Sequence, residues 1–172
     1  LELFRQAYRE GSAIDLDSQC LQTTFRTFPR LVAGQRLFVN MEVLTVAYGL
    51  RKGSSAAALL KEHKALAKQT VIEMTEGMKL RDFEFVKRGI RLIRNLGFQY
   101  ALDDVDGIDS KLLKLITLKP DFVKLDRTLI QGVARRPLQA ELISRILDLS
   151  GKKKFKIVAE GIEDQADLSA VQ

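Results

Sequence analysis

The chain has 172 residues, 46% of them hydrophobic and 29% charged, which suits one sizeable core or part of a larger one and excludes a disordered segment. Its net charge of +6 comes from Lys and Arg scattered over polar helix faces, and there is no tryptophan to stack on bases, so DNA is not the expected partner. A single cysteine, Cys20, excludes an internal disulfide and a multi-cysteine zinc site and fits a reducing compartment. No apolar run is long enough for a membrane span and no basic-then-apolar leader opens the chain. The segment is therefore expected in the cytoplasm, which leaves room for a membrane tether elsewhere in a longer protein.

Taken in chain order, residues 15–28 read as a helix capped by Asp15 or Asp17, with Cys20 packed inside it. A strand-sized run follows at Arg36-Leu37-Phe38-Val39-Asn40, then a short loop over Arg51-Lys52-Gly53-Ser54-Ser55. The Ala-, Leu- and Lys-rich stretch 54–68 predicts a second helix, with His63 on its solvated face. Val71-Ile72-Glu73-Met74-Thr75-Glu76 is the next strand. From Asp82 to Leu96, Phe83, Val86, Ile90, Ile93 and Leu96 recur at three- and four-residue steps, and Gly97 is placed to cap that helix. Phe98-Gln99-Tyr100-Ala101-Leu102-Asp103 resumes the strand pattern.

Lys119-Pro120 marks a break before the strand Phe122-Val123-Lys124-Leu125-Asp126, because a residue preceding proline is pushed out of helical geometry. A helix is predicted over 137–150, with Leu138, Leu142, Ile146 and Leu149 inside, Pro137 in its first turn and Gly151 at its end. Lys152-Lys153-Lys154 then reads as a solvated loop or as a cluster attracting a phosphate-bearing ligand. Phe155-Lys156-Ile157-Val158-Ala159-Glu160 is the last strand.

Strands that are nearly all apolar, alternating with amphipathic helices, imply parallel pairing in an α/β fold with the helices outside. Polar residues at the ends of several strands favour a (β/α) barrel of the TIM type over an open sheet, which gathers its ligand at one switch point. There is also no glycine-rich phosphate loop. Five strands are too few to close a barrel, so the expectation is one domain, 1–172, whose barrel is incomplete, with the first and last strands missing.

Carboxylates at buried strand ends converge only where a cation offsets their repulsion, which points to a metal. Each residue has a plainer reading beside this one. Asn40 could cap a following helix, Glu73 could pair with a lysine, Asp103-Asp104 could form a turn, Lys124 could simply neutralise its neighbours, and Glu160-Gly161 could be loop chemistry.

In order, Phe38-Val39-Asn40, Val71-Ile72-Glu73-Met74-Thr75-Glu76, Tyr100-Ala101-Leu102-Asp103-Asp104, Asp121-Phe122-Val123-Lys124-Leu125-Asp126 and Ile157-Val158-Ala159-Glu160-Gly161-Ile162-Glu163 resemble the successive motifs of the EAL domain. That family comprises bacterial phosphodiesterases that linearise cyclic di-GMP. The resemblance implies an EAL-type barrel in which Asn40, Glu73 and Asp103 bind one divalent metal and Asp103 with Asp104 the other. It implies that Lys124 and Glu160 handle the attacking water, with Glu76 and Glu163 supporting from behind.

Oxygen ligands with one amide suit Mg²⁺ or Mn²⁺. The implied partners are cyclic di-GMP, adjacent sensory or diguanylate cyclase domains, and a second copy in a homodimer. The family's Glu-Ala-Leu is expected upstream of residue 1. Its Asp-Asp-Phe-Gly-x-Gly reads here as Asp103-Asp104-Val105-Asp106-Gly107-Ile108, so an EAL domain that binds cyclic di-GMP or a protein without hydrolysis is the alternative. A third reading is an unrelated metal-assisted barrel enzyme that abstracts a proton with Lys124.

Overall fold

A computed structural model describes residues 2–28, 30–51, 53–75, 83–109, 112 and 116–172. They form two compact units, Leu1–Tyr100 and Ala101–Gln172.

In the first unit, α1 (Glu2–Glu10) and α2 (Ala13–Thr27) precede β1 (Leu37–Asn40). A π-helical turn at Thr45–Gly49, α3 (Ser55–Glu62) and a 3₁₀ segment at Lys64–Gln69 lead to β2 (Thr70–Thr75), and α4 (Phe83–Asn95) completes the set of helices. β1 and β2 pair in parallel without a break, from Leu37 opposite Thr70 to Asn40 opposite Glu73. Leu21 and Phe25 of α2, Leu60 of α3, Val71 and Ile72 on the two faces of β2, and Val86, Ile90 and Ile93 of α4 are buried.

Several local expectations change here. α2 starts two residues earlier than the helix expected at 15, so Asp15 and Asp17 lie within it instead of capping it. Cys20 is exposed, because the helix turns Leu21 and Phe25 inward and leaves the thiol outside. His63 is not simply solvated: its ring stacks on Phe25 with centroids 4.5 Å apart, and Nδ1 lies 2.9 Å from the Leu59 carbonyl oxygen. The helix read over 54–68 tightens to 3₁₀ after His63. Gly97 adopts φ +95° and ends α4 as expected, its N–H donating to the Arg94 carbonyl.

The second unit carries β4 (Phe122–Leu125), α5 (Arg127–Ile130), α6 (Pro137–Lys153), β5 (Lys156–Ala159) and α7 (Gln165–Val171). It also holds all but the first two residues of β3 (Gln99–Val105). β3 pairs with β4 and β4 with β5, all in parallel. Leu102, Val123, Leu125, Ile130, Ile143 and Ile146 are fully buried or nearly so.

α6 runs through Gly151 and stops at Lys154, which takes φ 62° and donates its N–H to the Ser150 carbonyl. Lys152 and Lys153 therefore occupy a helical turn instead of a loop. Leu138, expected inside, is 83% exposed; it sits in the first turn, and Ile143 and Ile146 are the residues that α6 buries. Among the described residues no helix is long and apolar enough to cross a membrane.

Candidate functional site

In the first unit, strand periodicity places Phe38 and Asn40 on one face of β1 and Val71 and Glu73 on the matching face of β2. Asn40, the last residue of its strand, is exposed, whereas Glu73 is only 5% exposed. A carboxylate so withdrawn from water needs compensating charge or hydrogen bonds. The Met41 N–H donates to the Glu73 carbonyl at 2.9 Å, so the parallel ladder continues one residue past Asn40.

In the second unit, three strand ends meet. Ala101 and Leu102 of β3 face Phe122 and Val123 of β4, but the next matched pair is Val105 with Leu125, so β3 carries one residue more than β4 over this interval. That extra residue is a bulge at Asp103-Asp104, and Asp104 takes the left-handed conformation with φ 57°. In a regular strand the two consecutive carboxylates would leave on opposite faces. Here one ligand oxygen each from Asp103, Asp104 and Glu160 lie within 4.8 Å of one another. Aspartate is among the few side chains that accept the left-handed region at low cost, which is why the sequence tolerates this kink.

Lys124 binds the cluster from β4. Its Nζ is 2.8 Å from Asp103 Oδ1 and 2.6 Å from Glu160 Oε1, and its side chain is largely buried. Glu160 lies one residue beyond β5, yet its N–H still donates to the Leu125 carbonyl at 3.1 Å, so the ladder sets its position. The next residue, Gly161, has φ +72°, and a Cβ built there would lie 2.4 Å from the Arg127 Cβ. Only glycine permits that approach, which aims Glu160 back over the strand ends.

The charges do not balance. Three carboxylates surround one ammonium, and Asp126 adds a fourth acid nearby. Desolvation first, and then the charges of Asp103, Asp126 and Glu160, push the Asp104 carboxyl above its usual range, with Lys124 opposing. Asp126 itself is held low, chiefly by the Thr128 hydroxyl and then the Thr128 N–H, as it caps α5. A cluster of oxygen donors with surplus negative charge is the donor chemistry that a hard divalent cation requires, so these residues fit such an ion.

Of the residues expected from sequence, Asp103, Asp104, Lys124 and Glu160 are thus brought together. Asn40 and Glu73 are register partners at the ends of their own strands. Glu163 is exposed in the segment after β5, and Glu76 lies outside the described residues. Sequence assigns Asp126 no role, yet it contributes to the field on Asp104. Its signal was its place two residues after Lys124, at the foot of a helix.

The EAL domain family description matches residues 2–172. A probable cyclic di-GMP phosphodiesterase, PdeA, of Escherichia coli (strain K12) is 27% identical over 154 residues, covering 87% of this chain and 21% of that protein. The bifunctional diguanylate cyclase/cyclic di-GMP phosphodiesterase MucR of Pseudomonas aeruginosa is 30% identical over 134 residues, covering 78% of this chain and 19% of MucR. The chain thus spans about a fifth of the length of these curated relatives. Among solved structures, the PaMucR phosphodiesterase in complex with c-di-GMP superposes with a TM-score of 0.83 at 25% identity, covering 99% of this chain and 75% of that one. Parallel strands alternating with helices, matched at this level, are those of an incomplete TIM-like (β/α) barrel. The chain belongs to the EAL domain family.

Proposed function

We propose that this chain hydrolyses cyclic di-GMP to linear pGpG. The observation that carries the reading is the bulge that turns Asp103 and Asp104 toward Glu160 around the Lys124 ammonium. Family membership and the names of the two relatives support the substrate. In this reading Asn40 and Glu73 in the first unit, and Asp103 and Asp104 in the second, are the residues that would hold divalent cations, Mg²⁺ or Mn²⁺. Such a pair of ions, when bound, supplies the positive charge that acidifies a water molecule and stabilises the leaving oxygen of a phosphodiester.

The chain's own residues do the rest. Glu160 accepts a hydrogen bond from the attacking water and orients it, while Lys124 holds Glu160 and Asp103 in place and adds fixed positive charge where negative charge accumulates. The water gives up one proton as its oxygen bonds to phosphorus, one P–O ester bond breaks, and the departing ribose oxygen takes up a proton, so that H₂O is added in total and the ring opens to pGpG. Glu76 and Glu163 support the ligands from behind. Because the chain spans a fifth of its relatives, the partners of the whole protein, among them sensory or diguanylate cyclase domains and a second copy, belong to this proposal.

Incubating the intact protein with cyclic di-GMP and Mg²⁺ or Mn²⁺ tests it, with chromatography of the nucleotides as the readout. Linear product that appears only with the cation supports the reading, and its absence at every protein concentration overturns it. One observation favours a second reading, binding without hydrolysis: the segment after Asp104 reads Val105-Asp106-Gly107-Ile108 where the family has Phe-Gly-x-Gly. Calorimetry that detects nucleotide binding in a protein without turnover would select it.

A further inference from the structure

The chain immediately after Asn40 is tied to the two N-terminal helices. The Glu42 N–H donates to Asp17 Oδ2 at 3.1 Å, and the Tyr8 hydroxyl donates to Glu42 Oε2. Asp17 is 2% exposed and shares the i, i+4 row of α2 with Leu21 and Phe25, which form the core. A carboxylate in such a row costs stability unless polar groups satisfy it. The donor it meets, the Glu42 N–H, lies outside its own helix, in the connection that leaves β1.

With the Met41 N–H fixed on the Glu73 carbonyl, the two residues after Asn40 each have their backbone donor occupied, one by β2 and one by α2. The backbone of Asn40 therefore cannot shift without breaking one of these bonds.

We propose that Asp17 is a positioning residue for Asn40, acting through the Glu42 N–H, so that the grip of the chain on a divalent cation depends on an acceptor at position 17. This rests on the reading of Asn40 as a metal ligand. Residues that orient ligands from behind are worth on the order of 10–100-fold in metal affinity. The effect requires an acceptor, not a charge. Asparagine retains the acceptor oxygen, leucine keeps a comparable volume without it, and alanine removes both.

The test is a Mn²⁺ titration of the intact protein, followed by the electron paramagnetic resonance signal of the free ion. Wild type is compared with D17L, D17A and D17N, and with L60A as a control that opens a cavity elsewhere in the same core. The expected result is Mn²⁺ affinity lower by about 10–100-fold in D17L and D17A, with D17N and L60A close to wild type. The apolar, volume-matched D17L serves if D17A does not fold. Wild-type affinity in D17L overturns the inference alone, and so does an equal loss in L60A or D17N. A wild-type protein that holds no Mn²⁺ overturns the metal reading of Asn40 and this inference with it.

Discussion

The strand ends of the two units present polar groups in different ways. At β1 and β2 the parallel register runs unbroken to Asn40 and Glu73, so each strand delivers one polar side chain to the shared face. At β3 the register slips by one residue, and a single strand delivers two consecutive carboxylates to the neighbourhood of Glu160 and Lys124. A regular ladder spaces ionisable groups apart, whereas a bulge concentrates them, at the cost of a left-handed backbone at Asp104. The difference explains why the surplus negative charge gathers at the bulged end.

Asp103→Ala breaks the comparison most severely. Turnover of cyclic di-GMP is expected to fall on the order of 10³-fold or more, the equivalent of the several kcal/mol that bound cations contribute to a developing charge. Circular dichroism should show the fold retained, and turnover near wild type would remove the bulged end from the chemistry.

Gly161→Ala comes next. A Cβ 2.4 Å from that of Arg127, on a residue at φ +72°, forces the segment after β5 outward and Glu160 with it. A misplacement of that size costs roughly 10²-fold in rate, measured as kcat at saturating Mn²⁺.

Lys124→Met sharpens the electrostatic half of the comparison. Asp103 and Glu160 lose their shared counter-charge, and the metal-free protein is expected to lose about 2–3 kcal/mol, below the range for a fully buried pair because Glu160 is partly exposed. Added Mn²⁺ should raise the melting temperature of this variant more than that of the wild type. An equal rise in both would show that Lys124 does not offset the carboxylates.

The smallest effect tests the unbulged side. Burial, opposed by the Glu42 N–H and aided by the Glu42 charge, raises Asp17 from its ordinary 3.8 to about 6. The folded value lies above the unfolded one, so the native state binds the extra proton. Its contribution to stability is complete below about pH 4 and is lost as pH rises through about 6, a change of about 2 kcal/mol between about pH 4.5 and 7.5. Denaturant unfolding between pH 4.5 and 7.5 should show this slope in the wild type and not in Asp17→Asn.

Much of this molecule was readable locally. The strands at Val71, Phe98, Phe122 and Phe155 were located to within a residue or two, because short apolar runs bounded by breakers carry their own signal. Gly97 marked the end of α4 for the same local reason. Leu138 and Cys20 are exposed where the pattern predicts packing, because a periodic stripe does not say which part of it a neighbour covers. Aspartate near a helix start predicts a cap at Asp15 or Asp17, whereas the position of Asp17 in the Leu21 and Phe25 row is the local sign of its burial.

Alternation of strand and helix, and the delivery of Asn40, Glu73, Asp103, Lys124 and Glu160 to strand ends, follow from sequence by itself, because side-chain period and chain breaks act within a few residues. Tertiary structure alone decided that Asp103 and Asp104 both bring an oxygen close to Glu160, that Gly161 lies against Arg127, and that Asp17 holds the Glu42 N–H. Each of these depends on register or close approach between segments far apart in the chain, and no local pattern encodes such distances.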